Sequence, residues 1–398
     1  MMTSPKIMQG IPVPPSGRIP RQDWDRAPWN RWTFQNIRQV VPTVQVWRGR
    51  GPVWALPARP QHLDDLTFNT VAGETSTVAQ WLGSSYSDGF IVLHHGEIVF
   101  ERYLNGMSER TLHLSQSVGK SITSAVAGML VGRGLLDPER LVTDYLPELK
   151  RTGWRGAKLR HVLDMTTGVR YNEDYEALDS DMAMTDIAAG WKPPRGGKEC
   201  PTCIWDQILG LKDHVREHGE TFEYRSIETD VLAHCMMRVM QTGLAELISR
   251  ELWSGLGAGE NANFTVDAAG YALACGGFNA TLRDYARFGQ MMMNGGIADG
   301  RRLVPREWID DTLDCNPAIF GAPYDETLPH GAYRNQFWIR DHRRRVIMAR
   351  GVFGQLVYIA PEESLVAVKL SSWPEFLSVP RGKDTLSAID AISDALNG

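Results

Sequence analysis

Leu114-Ser115-Gln116-Ser117-Val118-Gly119-Lys120-Ser121-Ile122-Thr123 puts a serine three residues before a lysine, at the mouth of a helical pattern. Val118, Ile122, Ala125 and Met129 follow the i, i+4, i+7, i+11 spacing of a helix with one buried face. On such a helix Ser117 and Lys120 lie one turn apart on the same side. Ser117 falls in the first turn, where unpaired N–H groups and the positive dipole end favour a developing anion. Burial penalises the charged form of a lysine. A buried Lys120 is therefore expected to give up its proton near neutral pH and to serve Ser117 as general base or proton relay. Serine–lysine pairs at this spacing are common on ordinary surface helices. The small and apolar residues after Lys120 mark this helix as a buried one.

The 398 residues suffice for one large domain or two lobes, and 43% hydrophobic with 22% charged residues is an ordinary globular composition. A net charge of -5 argues against a nucleic-acid partner or an anionic membrane surface. Five cysteines, Cys200, Cys203, Cys235, Cys275 and Cys315, are too few and odd in number for a disulfide framework. Cys200-Pro-Thr-Cys203 stands alone, without the second pair or nearby histidines that a zinc site needs, so no metal and no cofactor is expected. Met1–Gly17 has no apolar signal-peptide core, and no run of 18 apolar residues occurs, so the expectation is a cytoplasmic chain without a membrane segment.

Along the chain, residues 1–75 are rich in Pro, Arg and Trp and read as an arm packed on the body. Phe90–Tyr103 reads as a β-hairpin turning at His95-Gly96. The Ser117 helix should stop near Gly132–Gly134, and Asp137-Pro138 reads as the next helix start. Short helices are expected over 142–149 and 159–165. Residues 170–220 read as a long irregular loop, of the kind that usually carries function. Thr229–Gln241 and Arg283–Asn294 read as amphipathic helices, and another starts in 301–308. Val346–Arg350, Gln355–Ile359 and Leu365–Ser371 are β-rich, and Thr385–Leu396 is a closing helix. Strands at both ends with helices between give an α+β fold: an antiparallel sheet flanked by helices, plus an α-helical lobe. The expected division is 76–116 with 285–398 as the sheet lobe and 117–284 as the mainly helical lobe.

Two further stretches match the Ser117 turn in order and spacing. Phe222-Glu223-Tyr224-Arg225-Ser226 follows the long loop, and Arg350-Gly351-Val352 lies on a C-terminal strand. With Leu135–Pro138 and Val142–Leu149, they make residues 75–398 resemble the serine β-lactamase/penicillin-binding superfamily. Asn172–Tyr175, Ala189-Gly190-Trp191, Gly276-Gly277, Arg283-Asp284 and Val368-Lys-Leu-Ser-Ser-Trp373 are similar, within it, to the 6-aminohexanoate-dimer hydrolases and their carboxylesterase relatives. The resemblance implies Ser117 as nucleophile, Lys120 as its proton partner and Tyr224 as the relay to the leaving group. It implies an oxyanion hole from the N–H groups of Ser117 and Val352, with Tyr175, Asp186, Trp191 and Cys275 around the substrate. The partner is then a small-molecule amide or ester, and a homodimer is left open. The chain departs from the resemblance at Cys275, at Phe353, and at Ala349, where β-lactamases place a Lys or His for the substrate carboxylate. The expected function is hydrolysis of small amides or esters through an acyl-enzyme. The alternatives are a DD-peptidase or β-lactamase, or a catalytically silent binding protein on the same scaffold.

Overall fold

In the computed structural model, which describes residues 7–194 and 199–398, seven strands form one antiparallel sheet. Residues 1–6 of the arm and 195–198 of the long loop lie outside the described residues. The strand order is 332–334, 337–341, 346–351, 355–360, 365–371, 87–94, 97–103. The hairpin Ser87–His94/Glu97–Tyr103 therefore joins strands from the far end of the chain, Val368 pairing with Ile91. The strands are apolar almost throughout because both faces are covered. Along 365–371, Val366, Val368 and Leu370 face one core while Leu365 and Ala367 face the other. Along 87–94, Ile91 and Leu93 alternate in the same way with Phe90 and Val92.

The Leu282–Met293 helix covers one face. A Cβ on its Gly289 would come within 2.6 Å of the Val366 side chain, so the helix rests directly on the strands. Ala388, Ile389 and Ile392 of the Val379–Asn397 helix fill the other face. The boundary between residues 284 and 285 falls inside the first of these helices. A second antiparallel sheet, in the order 43–46, 262–265, 278–280, 113–114, ties the arm to the strand that leads into Ser117.

Several expectations change. Asp137-Pro138 begins a turn rather than a helix, because the carbonyls of Pro138 and Arg140 accept from Arg160 and Leu159 across the fold instead of from the next turn. The 170–220 stretch contains two short helices, Asp181–Ala188 and Ile204–Gly210; the first is capped by Ser180, whose hydroxyl accepts from Ala183 N–H at 3.0 Å. The Ile227–Met240 helix is buried all round its first ten residues, not amphipathic, because it runs through the helical lobe against the Val118–Gly132 and Leu159–Leu163 helices. Among the described residues no helix is long and apolar enough to cross a membrane.

Candidate active site

The short strand His113–Leu114 ends at Ser115, Gln116 is held at a φ of +51°, and Ser117 caps the Val118–Gly132 helix. A glutamine in that left-handed region is a local strain that the surrounding packing sustains. It turns the chain sharply enough to set Ser117 at the helix mouth. The end of the Val346–Gly351 strand meets this turn. A Cβ on Gly351 would lie 2.5 Å from the Ser115 carbonyl oxygen, so only glycine lets the strand come this close. Val352 follows at once, and both Ser117 and Val352 line a cavity of about 670 Å³.

Lys120 is 1% exposed and donates to three oxygens: Ser117 Oγ at 2.9 Å, Ser226 Oγ at 3.1 Å and the Cys275 carbonyl at 2.6 Å. Its Nζ lies 5.1 Å from the ring centroid of Tyr224. Burial, the larger effect, pushes the Tyr224 pKa up, and Lys120 and Ser117 both pull it down. The sequence expectation of a lysine that gives up its proton is reversed. Burial, the largest influence, pulls the Lys120 pKa down, but Tyr224, the Cys275 thiol and Glu173 together outweigh it and hold the ammonium. Burial pushes Tyr224, Cys275 and Glu173 up in turn, and Glu173 is the carboxylate of the set.

Glu173 sits at the end of a hydrogen-bond chain. Ser226 donates to it through both Oγ and N–H, the latter at 2.7 Å, and Tyr175 Oη donates at 2.7 Å. Burial raises the Glu173 pKa, with Lys120 and the bonds from Ser226 and Tyr175 opposing. Lys120, Ser226 and Glu173 thus form a continuous path for a proton.

The structure gathers Ser117, Lys120, Tyr224, Val352 and Tyr175 at one cavity. Tyr175 stacks on Phe376 across it, with centroids 5.4 Å apart. The other three predicted substrate contacts are not in the lining. Cys275 offers Lys120 its carbonyl, while its thiol faces Asp230. Trp191 donates from its indole to Thr265 Oγ1 at 3.0 Å and packs edge-on against Trp24 at 5.3 Å. Asp186 lies behind the Glu173 wall among Asp25, Lys192 and Arg26. Burial first, then Asp25, pushes its carboxyl up to about 7, with Lys192 and Arg26 opposing. The arm seals this region: Asp25 pairs with Lys192, and Arg26 pairs with Glu176 at 3.1 Å and lies 4.2 Å over the Phe376 ring.

Sequence reasoning passed over Glu173, Ser226, Arg350, Trp338 and Phe376. Ser226 closes the 222–226 motif and Glu173 stands inside the 172–175 stretch, so both were in view as markers without roles. Trp338 and Phe376 carry no local signal. The lining is acidic on balance, with Glu173, Asp174, Glu176, Glu326 and Glu375 against Arg350 and Lys383. Such a cleft draws in cationic groups.

Comparison with known proteins places this geometry in context. A family model described as Beta-lactamase matches residues 82–390. The 6-aminohexanoate-dimer hydrolase of Paenarthrobacter ureafaciens is 35% identical over 364 residues, covering 90% of each chain. The Bacillus anthracis structure named "putative 6-aminohexanoate-dimer hydrolase" superposes with a TM-score of 0.89 at 27% identity, over 97% of this chain and 99% of that one. EstCE1, a hydrolase with promiscuous acyltransferase activity, has the same fold at a TM-score of 0.62 and 16% identity, over 79% of this chain and 96% of that one.

Proposed function

The chain belongs to the beta-lactamase family and is a hydrolase of the serine beta-lactamase fold, and from that premise we propose that it cleaves small linear amides or esters through an acyl-enzyme on Ser117. The observation that carries this reading is the 2.9 Å hydrogen bond from Lys120 to Ser117 Oγ at the mouth of the cavity. Ser117 Oγ attacks the substrate carbonyl, and the N–H groups of Ser117 and Val352 receive the oxyanion. One such donor is typically worth about 10²–10³ in kcat.

Because Lys120 rests as an ammonium, it must pass a proton on before it can take one from Ser117. Among the described residues, the carboxylate on its hydrogen-bond chain is Glu173, reached through Ser226. Protonated Glu173 and neutral Lys120 are then the active pair. Lys120 takes the serine proton, Tyr224 delivers a proton to the departing amine or alcohol, and water releases the acyl group along the reverse path.

The substrate class follows from the 6-aminohexanoate-dimer hydrolase likeness and from the acidic lining: a linear chain whose acyl end carries an ammonium. Asp174 and Glu176 form the near wall for that ammonium, and Asp186 adds charge behind them. Trp191 and Cys275 act one layer further back, Trp191 by backing the wall and Cys275 by fixing Lys120. Ser117→Ala should lower hydrolysis of the 6-aminohexanoate dimer and of p-nitrophenyl esters by about 10⁶, the loss typical of a removed serine nucleophile. A fluorophosphonate should label the wild type at Ser117. Retention of more than a few per cent activity, or labelling elsewhere, overturns the assignment.

A further inference from the structure

A second cavity, of about 490 Å³, shares no lining residue with the Ser117 cleft. Residues 35–39 of the arm, 110–112 of the connection before the Ser117 turn and 260–263 of the second sheet border it. Asn263 gives this cavity its chemistry. Its side chain is sealed from bulk solvent, at 3% exposure, and neither its Nδ2 nor its Oδ1 has a hydrogen-bond partner among the described residues. The strand explains its direction. Ala262 and Phe264 turn into the core, so Asn263 between them points to the opposite face, where the cavity lies. Gln45 and Asn279 stand directly opposite Asn263 on the two neighbouring strands, so three carboxamides share that face. Asn279 commits its Nδ2 to the Gly277 carbonyl at 2.8 Å, which leaves Asn263 and Gln45 as the carboxamides open to a ligand. A buried amide with both ends unmade carries the full desolvation cost of a donor and an acceptor. A ligand that supplies an acceptor and a donor side by side removes it.

The rest of the lining narrows the class. No aromatic ring borders the cavity, so a flat base or aromatic ligand has nothing to stack on. Glu260 is in the lining and holds Arg110 at 2.8 Å, and its carboxylate disfavours a multiply charged anion. A trans secondary amide points its N–H and C=O in opposite directions and cannot meet both ends of one carboxamide. Two neighbouring hydroxyls can, because each both donates and accepts. We infer that this cavity binds a neutral, hydroxyl-rich small molecule of the sugar or polyol class, seated on Asn263 and Gln45. The inference does not depend on the reaction at Ser117.

The test is isothermal titration calorimetry of the full chain with D-glucose, D-galactose, D-ribose and myo-inositol, and with sulfate as the charged control. Sugars also act on proteins by exclusion from the surface, without saturation, so saturable one-to-one binding is the criterion. At least one of the four should meet it. Asn263→Ala should weaken that binding about tenfold or more, the loss of two neutral hydrogen bonds, while p-nitrophenyl ester hydrolysis reports that the variant is folded. Gln45→Ala, at an exposed position, should weaken it less and keeps the test open where Asn263→Ala does not fold. Protein labelled at Ser117 by a fluorophosphonate should bind the sugar as wild type does. Saturation by none of the four, or by sulfate alone, overturns the inference. So does binding that both variants retain in full, or that the label abolishes, since the ligand would then sit elsewhere. A crystal structure grown with the tightest binder that shows only ordered water on Asn263 overturns it as well.

Discussion

Lys120 and Lys369 are both sealed from solvent, at 1% and 0% exposure, and their surroundings push them in opposite directions. Lys369 stands between two indoles, 5.7 Å from the ring centroid of Trp81 and 5.5 Å from that of Trp373. It bonds Ser371 Oγ and the Ser85 carbonyl. Burial drives its pKa down to about 7, against Asp88 and with help from Arg31 and Arg381. Lys120 is equally buried, yet Tyr224, Cys275 and Glu173 turn its pKa upward, and three oxygens accept from it. Burial sets the penalty on the charge. The groups within hydrogen-bond reach decide whether the penalty prevails. The rule applied to Lys120 from sequence describes Lys369 instead.

The strongest way to break this contrast is at the reactive lysine. Lys120→Ala and Tyr224→Phe should each lower kcat by about 10³–10⁴, and the double variant should be barely worse than either. Losses that multiply cleanly would show that the two do not share one proton path. At the silent lysine the effect should appear in stability, not in chemistry. The folded pKa of Lys369 lies below its unfolded value. The unfolded state therefore binds more protons between about pH 7 and 10, and wild-type stability should rise with pH across that window. Lys369→Met should remove that rise. Its gain over wild type should be largest near pH 7, up to roughly 4 kcal/mol at about 1.36 kcal/mol per pKa unit, and should vanish near pH 10. Parallel melting curves over pH 7–10 would sink the account.

Glu173→Gln sharpens the comparison by taking from Lys120 the carboxylate at the end of its hydrogen-bond chain. Activity at neutral pH should drop by about 10²-fold and recover as pH rises, because the ammonium can no longer reach a carboxylate through Ser226. In wild type the acid limb should follow Glu173, whose pKa burial raises, so activity is lost as pH falls through a value above the ordinary carboxylate range. An unchanged pH–rate profile would exclude the relay. The smallest effect is expected at Asp186. Its carboxyl is held at about 7, so KM for an amine-terminated substrate should rise as pH falls below that value. Asp186→Asn should lower the kcat/KM ratio of amine-terminated to uncharged substrate about tenfold and flatten this pH dependence. A ratio that stays at the wild-type value would place Asp186 outside substrate recognition.

Much of the fold was legible because its signals are local. The 90–103 hairpin announces itself by its β-rich runs around His95-Gly96, and the Ser117 helix by its apolar spacing. The C-terminal strands could be read from their Val and Ile content. The misread segments are those where distant contacts override local pattern. Pro138 looks like a helix start, but its carbonyl is taken by Arg160 N–H at 2.7 Å. Ser180 is a good cap signal, lost among the polar and glycine-rich residues of 170–220. In the sequence, motif spacing singled out Ser117, Lys120 and Tyr224, which the structure brings together at one cavity, whereas Arg350 looked only like a marker before Gly351.

What the sequence determined by itself is the order and type of the groups that line the cleft: a serine at a helix mouth, a lysine one turn on, a tyrosine before Ser226, and a glycine that lets a strand close on the turn. These depend on residues within a few positions of one another, through helix period, backbone turn and the absence of a Cβ. Only the tertiary structure decided the charge states and the reach of the site. The Lys120 ammonium is held by a carbonyl 155 residues away at Cys275 and a hydroxyl 106 residues away at Ser226, and Glu173 meets Ser226 across 53 residues. A pKa is set by every dipole and charge within a few ångströms, together with the loss of water around them. Those neighbours come from parts of the chain that no local pattern connects.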